Sequence, residues 1–181
     1  MADGALNTEH RRYLLDLARE AIAAAVSGSR PPAPRAADLP DASGVFVTIK
    51  KRGELRGCLG TLRIREGLAE DVIRCAVDSA TVDPRFPPVR AGELPELSVE
   101  VSVLGPQEPI APREDAFTIG VHGLVVEDGA HRGLLLPQVP VEWGWTPEQF
   151  LRQTCVKAGL PPEAWRTGAP LYRFAAEVFG E

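Results

Sequence analysis

Cysteine and histidine, the residues that most often build metal centres and nucleophilic sites, are scarce: three of each occur in 181 residues. Cys58, Cys75 and Cys155 lie too far apart for a CxxC pair or another short zinc spacing, and three distant histidines do not identify a metal site. A closed disulfide framework is not expected either, so a reducing cytoplasm is the predicted setting. Positive charge is also in short supply. The formal net charge of -5 gives no general field to gather nucleic acid or an anionic membrane. No apolar run approaches membrane-spanning length, and the opening "MADGALNTEH" lacks the basic segment and apolar stretch of a secretory signal. What remains is 44% hydrophobic and 25% charged, the balance of an ordinary globular chain long enough to bury a core without staples.

The pattern along the chain predicts an α+β fold, a mainly antiparallel sheet flanked by helices, and the length fits one domain or two closely packed subdomains. "TEHRRYLLDLAREAIAAAV" places Leu14, Leu17, Ala18, Ala21, Ile22 and Ala25 at helical spacing, with Thr8 as a cap and Gly28 as a stop. The proline- and alanine-rich "SGSRPPAPRAADLPDAS" is expected to cross the surface in extended form. "GVFVTIKKRGELRGCLG" reads as a hairpin turned at Arg52-Gly53, and "REGLAEDVIRCAVDSATV" as a helix burying Leu68, Val72, Cys75, Ala76 and Ser79. Strands are predicted over Val45 to Ile49, Leu97 to Val103 and Ile119 to Val125, the last opening a hairpin turned by Asp128-Gly129. Thr146, Pro147 and Gln149 signal a helix start, with Gly159 as its stop, and "LYRFAAEVF" closes with strand-like alternation.

Cys58 is the only cysteine outside a helical apolar stripe, in "ELRGCLGTLR". Gly57 and Gly60 remove side chains beside it, which would let a ligand approach the backbone, or would serve a close strand crossing. Arg56 and Arg63 would favour the thiolate if folding brought either near the sulfur. His122 in "GVHG" is the best-placed histidine for a general base, although a lone hairpin histidine is more often structural. Asp83 and Arg85, with Glu93, surround the proline-rich "DPRFPP" and would line a polar cleft, or satisfy a turn. Gln138 follows an apolar strand, where it would orient a ligand or satisfy a loop, and Trp143 and Trp145 offer stacking surfaces.

Taken in order, "LRGCLGTL", "DPRFPPV", "EL..LSVEVSVL", "GVHGL", "LLPQV", "GW" and "KAGL" resemble the AMMECR-type domain family, called AmmeMemoRadiSam system protein A in prokaryotes. The resemblance runs from about Val45 to Glu181, with Leu59 where the family's "LRGCIG" has isoleucine. It implies a single AMMECR-type domain over residues 1–181, with a divergent helix and proline-rich segment before residue 44. A larger and a smaller subdomain would place the family motif near an intervening cleft. It further implies association with a Memo-like protein and a radical S-adenosylmethionine protein. No compact CxxxCxxC motif is present, so neither S-adenosylmethionine nor an iron-sulfur cluster is assigned to this chain, and no cofactor or metal is expected. The expected function is that of a cytoplasmic accessory protein binding or processing a small molecule or peptide in a cleft centred on Cys58. In a catalytic version Cys58 is the nucleophile, His122 the proton acceptor and Arg56 the anion stabiliser, with Gly57, Gly60, Asp83, Arg85 and Gln138 lining the cleft. The alternative is a non-enzymatic adaptor in which Cys58 only packs.

Overall fold

The computed structural model describes residues 5–35 and 37–180. The chain divides into two compact units, one formed by residues up to Gly105 together with the chain end from Glu177, the other by Pro106–Ala176. The class is α+β, with antiparallel strands flanked by helices.

In the first unit, α1 (Thr8–Ser27) is capped by Asn7, whose side chain accepts the His10 N–H at 2.8 Å. Thr8, the expected cap, is instead the first helical residue, because a cap needs the extended backbone that Asn7 adopts. Gly28 ends the helix in the left-handed region, as its position predicts. β1 (Gly44–Lys51) and β2 (Glu54–Thr61) form the hairpin, turned at Arg52 and Gly53, both with positive φ. α2 (Leu68–Thr81) follows, then a short 3-10 segment (Ala91–Glu96) that the proline-rich sequence concealed, then β3 (Leu97–Leu104), which pairs antiparallel with β1.

Period-two alternation decides which face is buried. Val45, Val47 and Ile49 of β1 and Val99, Val101 and Val103 of β3 all turn to the core, beneath α1 and α2. Each such side chain contributes roughly 1.5–3 kcal/mol when fully buried. The intervening Thr48, Lys50, Ser98, Glu100 and Ser102 are therefore committed to the opposite face, where each is half-buried.

The second unit holds β4 (Glu108–Ile110), β5 (His122–Asp128), β6 (His131–Leu135), α3 (Gln138–Trp143), α4 (Pro147–Lys157) and most of β7 (Leu171–Gly180). β5 pairs antiparallel with β6 and with β7, and β4 pairs with β7. The strand expected from Ile119 starts three residues later. Ile119, Gly120 and Val121 form a turn, with Gly120 at φ +82°, before extended structure begins at His122. Thr146 and Gln149 make the reciprocal cap of α4, which covers β5 and β6 through Phe150, Leu151 and Cys155. Phe117 meets Phe150 edge-on at 5.8 Å between ring centroids. Among the described residues no helix is long and apolar enough to cross a membrane.

Candidate functional site around Cys58

The register of the first hairpin sets the position of Cys58. From the turn, Lys51 faces Glu54 and Lys50 faces Leu55, but Ile49 then faces Gly57, so Arg56 is an extra residue in a β-bulge. Without the bulge Cys58 would lie opposite Val47 and point into the core. With it, Cys58 lies opposite Thr48, on the face away from the α1–α2 core, and its Sγ comes to 3.2 Å from Thr48 Oγ1. Cys58 is half-buried; Cys75 and Cys155 are sealed, and burial pushes the Cys75 thiol up to about 11 and raises that of Cys155.

Both main-chain polar groups of Cys58 are held from the "DPRF" turn. The Cys58 N–H donates to Asp83 Oδ2 at 2.9 Å, and its carbonyl accepts from Arg85 Nη2 at 3.1 Å. Asp83 and Arg85 also bind each other in a forked pair, Nε to Oδ1 at 3.0 Å and Nη2 to Oδ2 at 2.7 Å, while the Arg85 amide donates to Oδ1 at 3.1 Å. Asp83 is buried, so these bonds replace its hydration; Arg85 first, then the Cys58 and Arg85 amides, hold its carboxyl well below the usual carboxylate range. A sheet edge that would otherwise show an open N–H and C=O is thus closed by side chains.

Ser79 of α2 fixes the same segment from the core side. Its hydroxyl accepts the Leu59 N–H at 2.8 Å and donates to the Val47 carbonyl at 2.8 Å, bridging β1 and β2. Helix and strand approach so closely that a Cβ on Gly57 would stand 2.1 Å from the Ser79 carbonyl oxygen. A Cβ on Gly60 would meet the Phe46 ring at 2.3 Å. The two glycines beside Cys58 are therefore accounted for by contacts inside the protein.

Arg56, thrown out by the bulge, clasps Glu93 with Nε and Nη2 (3.1 and 3.0 Å) and reaches the carbonyls of Pro87 and Pro88 (2.8 and 3.3 Å). Glu93 also receives Lys51 and the Arg90 amide, and Arg56 foremost lowers its carboxyl to about 2. Most of the Arg56 donors are thereby committed to holding the proline-rich loop.

His122 and Gln138 belong to the second unit. His122 is half-buried at the start of β5, and its Nδ1 accepts the Thr118 N–H at 3.0 Å. The proton of the neutral ring then sits on Nε2, leaving no free lone pair for a base. Burial, then Arg173, lowers its pKa, in the direction that preserves this bond. Gln138 is exposed as the first residue of α3. So Cys58, Asp83, Arg85, Gly57 and Gly60 come together in one unit, with Arg56 and Glu93 along the same loop. Neither Thr48 nor Ser79, which the sequence placed only on a buried helix face, was read as a site residue. Ser79 carried one signal, a hydroxyl on an otherwise apolar helical stripe; Thr48 carried none, since its pairing depends on the bulge. Among the described residues no group of three or more His, Cys, Asp or Glu side chains is arranged to hold a metal ion.

The chain is 48% identical over 189 residues to a protein of Thermococcus gammatolerans, an alignment covering 97% of this chain and 92% of that one. It is 46% identical to a protein of Methanothermobacter thermautotrophicus, covering 97% and 96%. The crystal structure of uncharacterized protein PH0010 from Pyrococcus horikoshii superposes with a TM-score of 0.80 at 44% identity, covering 97% of this chain and 93% of that one. The AMMECR1 family model matches residues 15–179, taking in most of α1 upstream of the motif resemblance. With the "LRGC" and "DPRF" segments bound to each other and the match spanning both units, the chain belongs to the AMMECR1 family.

Proposed function

We propose that this chain is a cytoplasmic accessory protein that binds a small molecule or peptide segment at the surface around Cys58. The family's association with the AmmeMemoRadiSam system supports a place beside a modification enzyme. Its partners there are a Memo-like protein and a radical S-adenosylmethionine protein. The observation that carries the reading is the immobilised backbone of Cys58, gripped through N–H and C=O by Asp83 and Arg85 while the residue stays only half-buried. Burying the Asp83 carboxylate costs free energy that its bonds to Arg85 and the Cys58 N–H must offset, so the clasp is held only in this geometry. Recognition fits the bonds better than nucleophilic catalysis, in which Cys58 would attack, His122 accept the proton and Arg56 stabilise an anion. The Nδ1 lone pair of His122 and most Arg56 donors are already engaged.

The test is alkylation of the native protein followed by intact mass spectrometry, together with complementation of a deletion strain by C58S and C58A. Cys58 should react in the folded state, and both variants should impair the strain's pathway-dependent protein modifications or metabolites. A thiol inert until global unfolding, or full complementation by both variants, would refute the reading. Loss of a purified turnover in C58S with binding retained would restore the catalytic version.

An adaptor role finds support in the second unit. Trp143 is 71% exposed, stacks on Trp145 at 6.2 Å, and has the exposed Val141 on the same short helix. Exposed aromatic surface of this kind marks contact sites. W143A should abolish co-purification with the Memo-like or radical partner if that role is correct, and leave it intact if it is not.

A further inference from the structure

Arg85 is held rigidly but is not used up. Its Nε and Nη2 are spent on Asp83 and on the Cys58 carbonyl, whereas Nη1 has no partner among the described residues. The side chain is 53% exposed, and its guanidinium carbon stands 5.4 Å from the Phe86 ring centroid. Two N–H donors are therefore presented to solvent from a group already fixed by a buried carboxylate. The rotamer entropy that usually opposes arginine binding has been lost in folding. The bond from Nη2 to the Cys58 carbonyl, 3.1 Å long, keeps the guanidinium beside that residue. Nearby, Glu93 is paired with Arg56 and Lys51, and Glu100 with Lys50.

From this geometry we infer that the Cys58 surface takes a ligand bearing an anionic oxygen group, a carboxylate or phosphate, anchored on Nη1 of Arg85. This rests on the binding role given to that surface above and specifies its ligand class. Cys58 would lie beside the anchored group, and Asp83 would act as a positioning residue that aims the guanidinium.

The experiment uses Cys58 itself as reporter. Iodoacetate and iodoacetamide differ little except in charge, and both alkylate thiols. Their rate ratio at Cys58 in the folded full-length protein, read by mass spectrometry, is compared with the ratio for glutathione at the same pH and ionic strength. An anchored anion should raise the ratio at least about fivefold, in line with one charge-assisted bond. In R85Q the ratio should fall to within about twofold of glutathione. R85K should fall between the two, since lysine keeps the charge and loses the fork. The ratio is internally controlled, so a general change in accessibility does not move it, and R85K serves if R85Q fails to fold. Millimolar inorganic phosphate and millimolar acetate, each tested as a protectant against iodoacetate, then distinguish a phosphate-bearing from a carboxylate-bearing ligand; protection by either supports the anchor. A wild-type ratio equal to that of glutathione, or a raised ratio unchanged in R85Q and R85K, overturns the inference while leaving the binding surface standing. Resistance of native Cys58 to both reagents overturns the binding surface as well.

Discussion

The two glycine-flanked segments of this protein, around Cys58 in the first unit and around His122 in the second, are alike in sequence and held by different physics. The Cys58 backbone is fixed by an ion pair whose carboxylate is buried; the His122 ring is fixed by one backbone N–H on a neutral imidazole. The first arrangement binds more tightly and tolerates acid further, because its carboxylates are held below their ordinary range. The second depends on a ring that ordinarily titrates near 6.5. Similar motifs in one chain can thus differ in which chemical condition releases them.

The largest break in this contrast should come from Asp83→Ala. It leaves the Cys58 N–H without its acceptor and removes the partner of Arg85, for a loss of about 2–4 kcal/mol. Chemical denaturation measures this, and a loss under 0.5 kcal/mol would mean that the clasp adds nothing to stability. Gly57→Ala comes next, at roughly 1–3 kcal/mol, because the new methyl carbon would stand 2.1 Å from the Ser79 carbonyl and α2 must shift. If thermal unfolding of G57A matches wild type, the close approach of helix and strand is not as described.

Cys75→Ala should cost on the order of 1 kcal/mol through lost packing under α2, with native Cys75 resisting alkylation. Rapid native labelling would contradict its burial. The smallest effect is the most diagnostic, and it concerns pH. His122 has a lowered folded pKa, so its contribution is complete above the ordinary 6.5 and is lost as pH falls through the lower folded value. Glu93, lowered from 4.5 to about 2, keeps its contribution until pH drops below 4.5 and loses it on the way to about 2; Asp83 follows the same sign, lower still. Amide exchange should therefore release the Thr118 N–H at milder acidity than the Cys58 N–H. The reverse order would undo the comparison, and H122A should free Thr118 at all pH values without touching Cys58.

Much of the fold was legible in the sequence because its signals are local. Alternating valines fixed β1 and β3, Gly28 fixed the end of α1, and Thr146-Pro147-Gln149 fixed the start of α4. Misses fell where a neighbour outvoted the local pattern. Gly120 turns the chain before β5, Asn7 caps α1 ahead of Thr8, and α3, only six residues long, was hidden among prolines and tryptophans.

The candidate site divides along the same line. By itself the sequence determined that Cys75 and Cys155 are core residues and that Cys58 stands apart, since helical spacing places the first two on apolar stripes. It also named Asp83 and Arg85 as polar residues in a proline-bound turn. Only the tertiary structure decided which way Cys58 points. One inserted residue, Arg56, shifts the register of β2 by one place, and in a strand one place exchanges the two faces. Local propensity cannot encode that choice, because the bulge is held by Glu93 and the loop carbonyls of Pro87 and Pro88, far along the chain. The same long-range clasp brings Asp83 and Arg85 to the edge of β2, where their charges can act on the backbone of a residue 25 and 27 positions away.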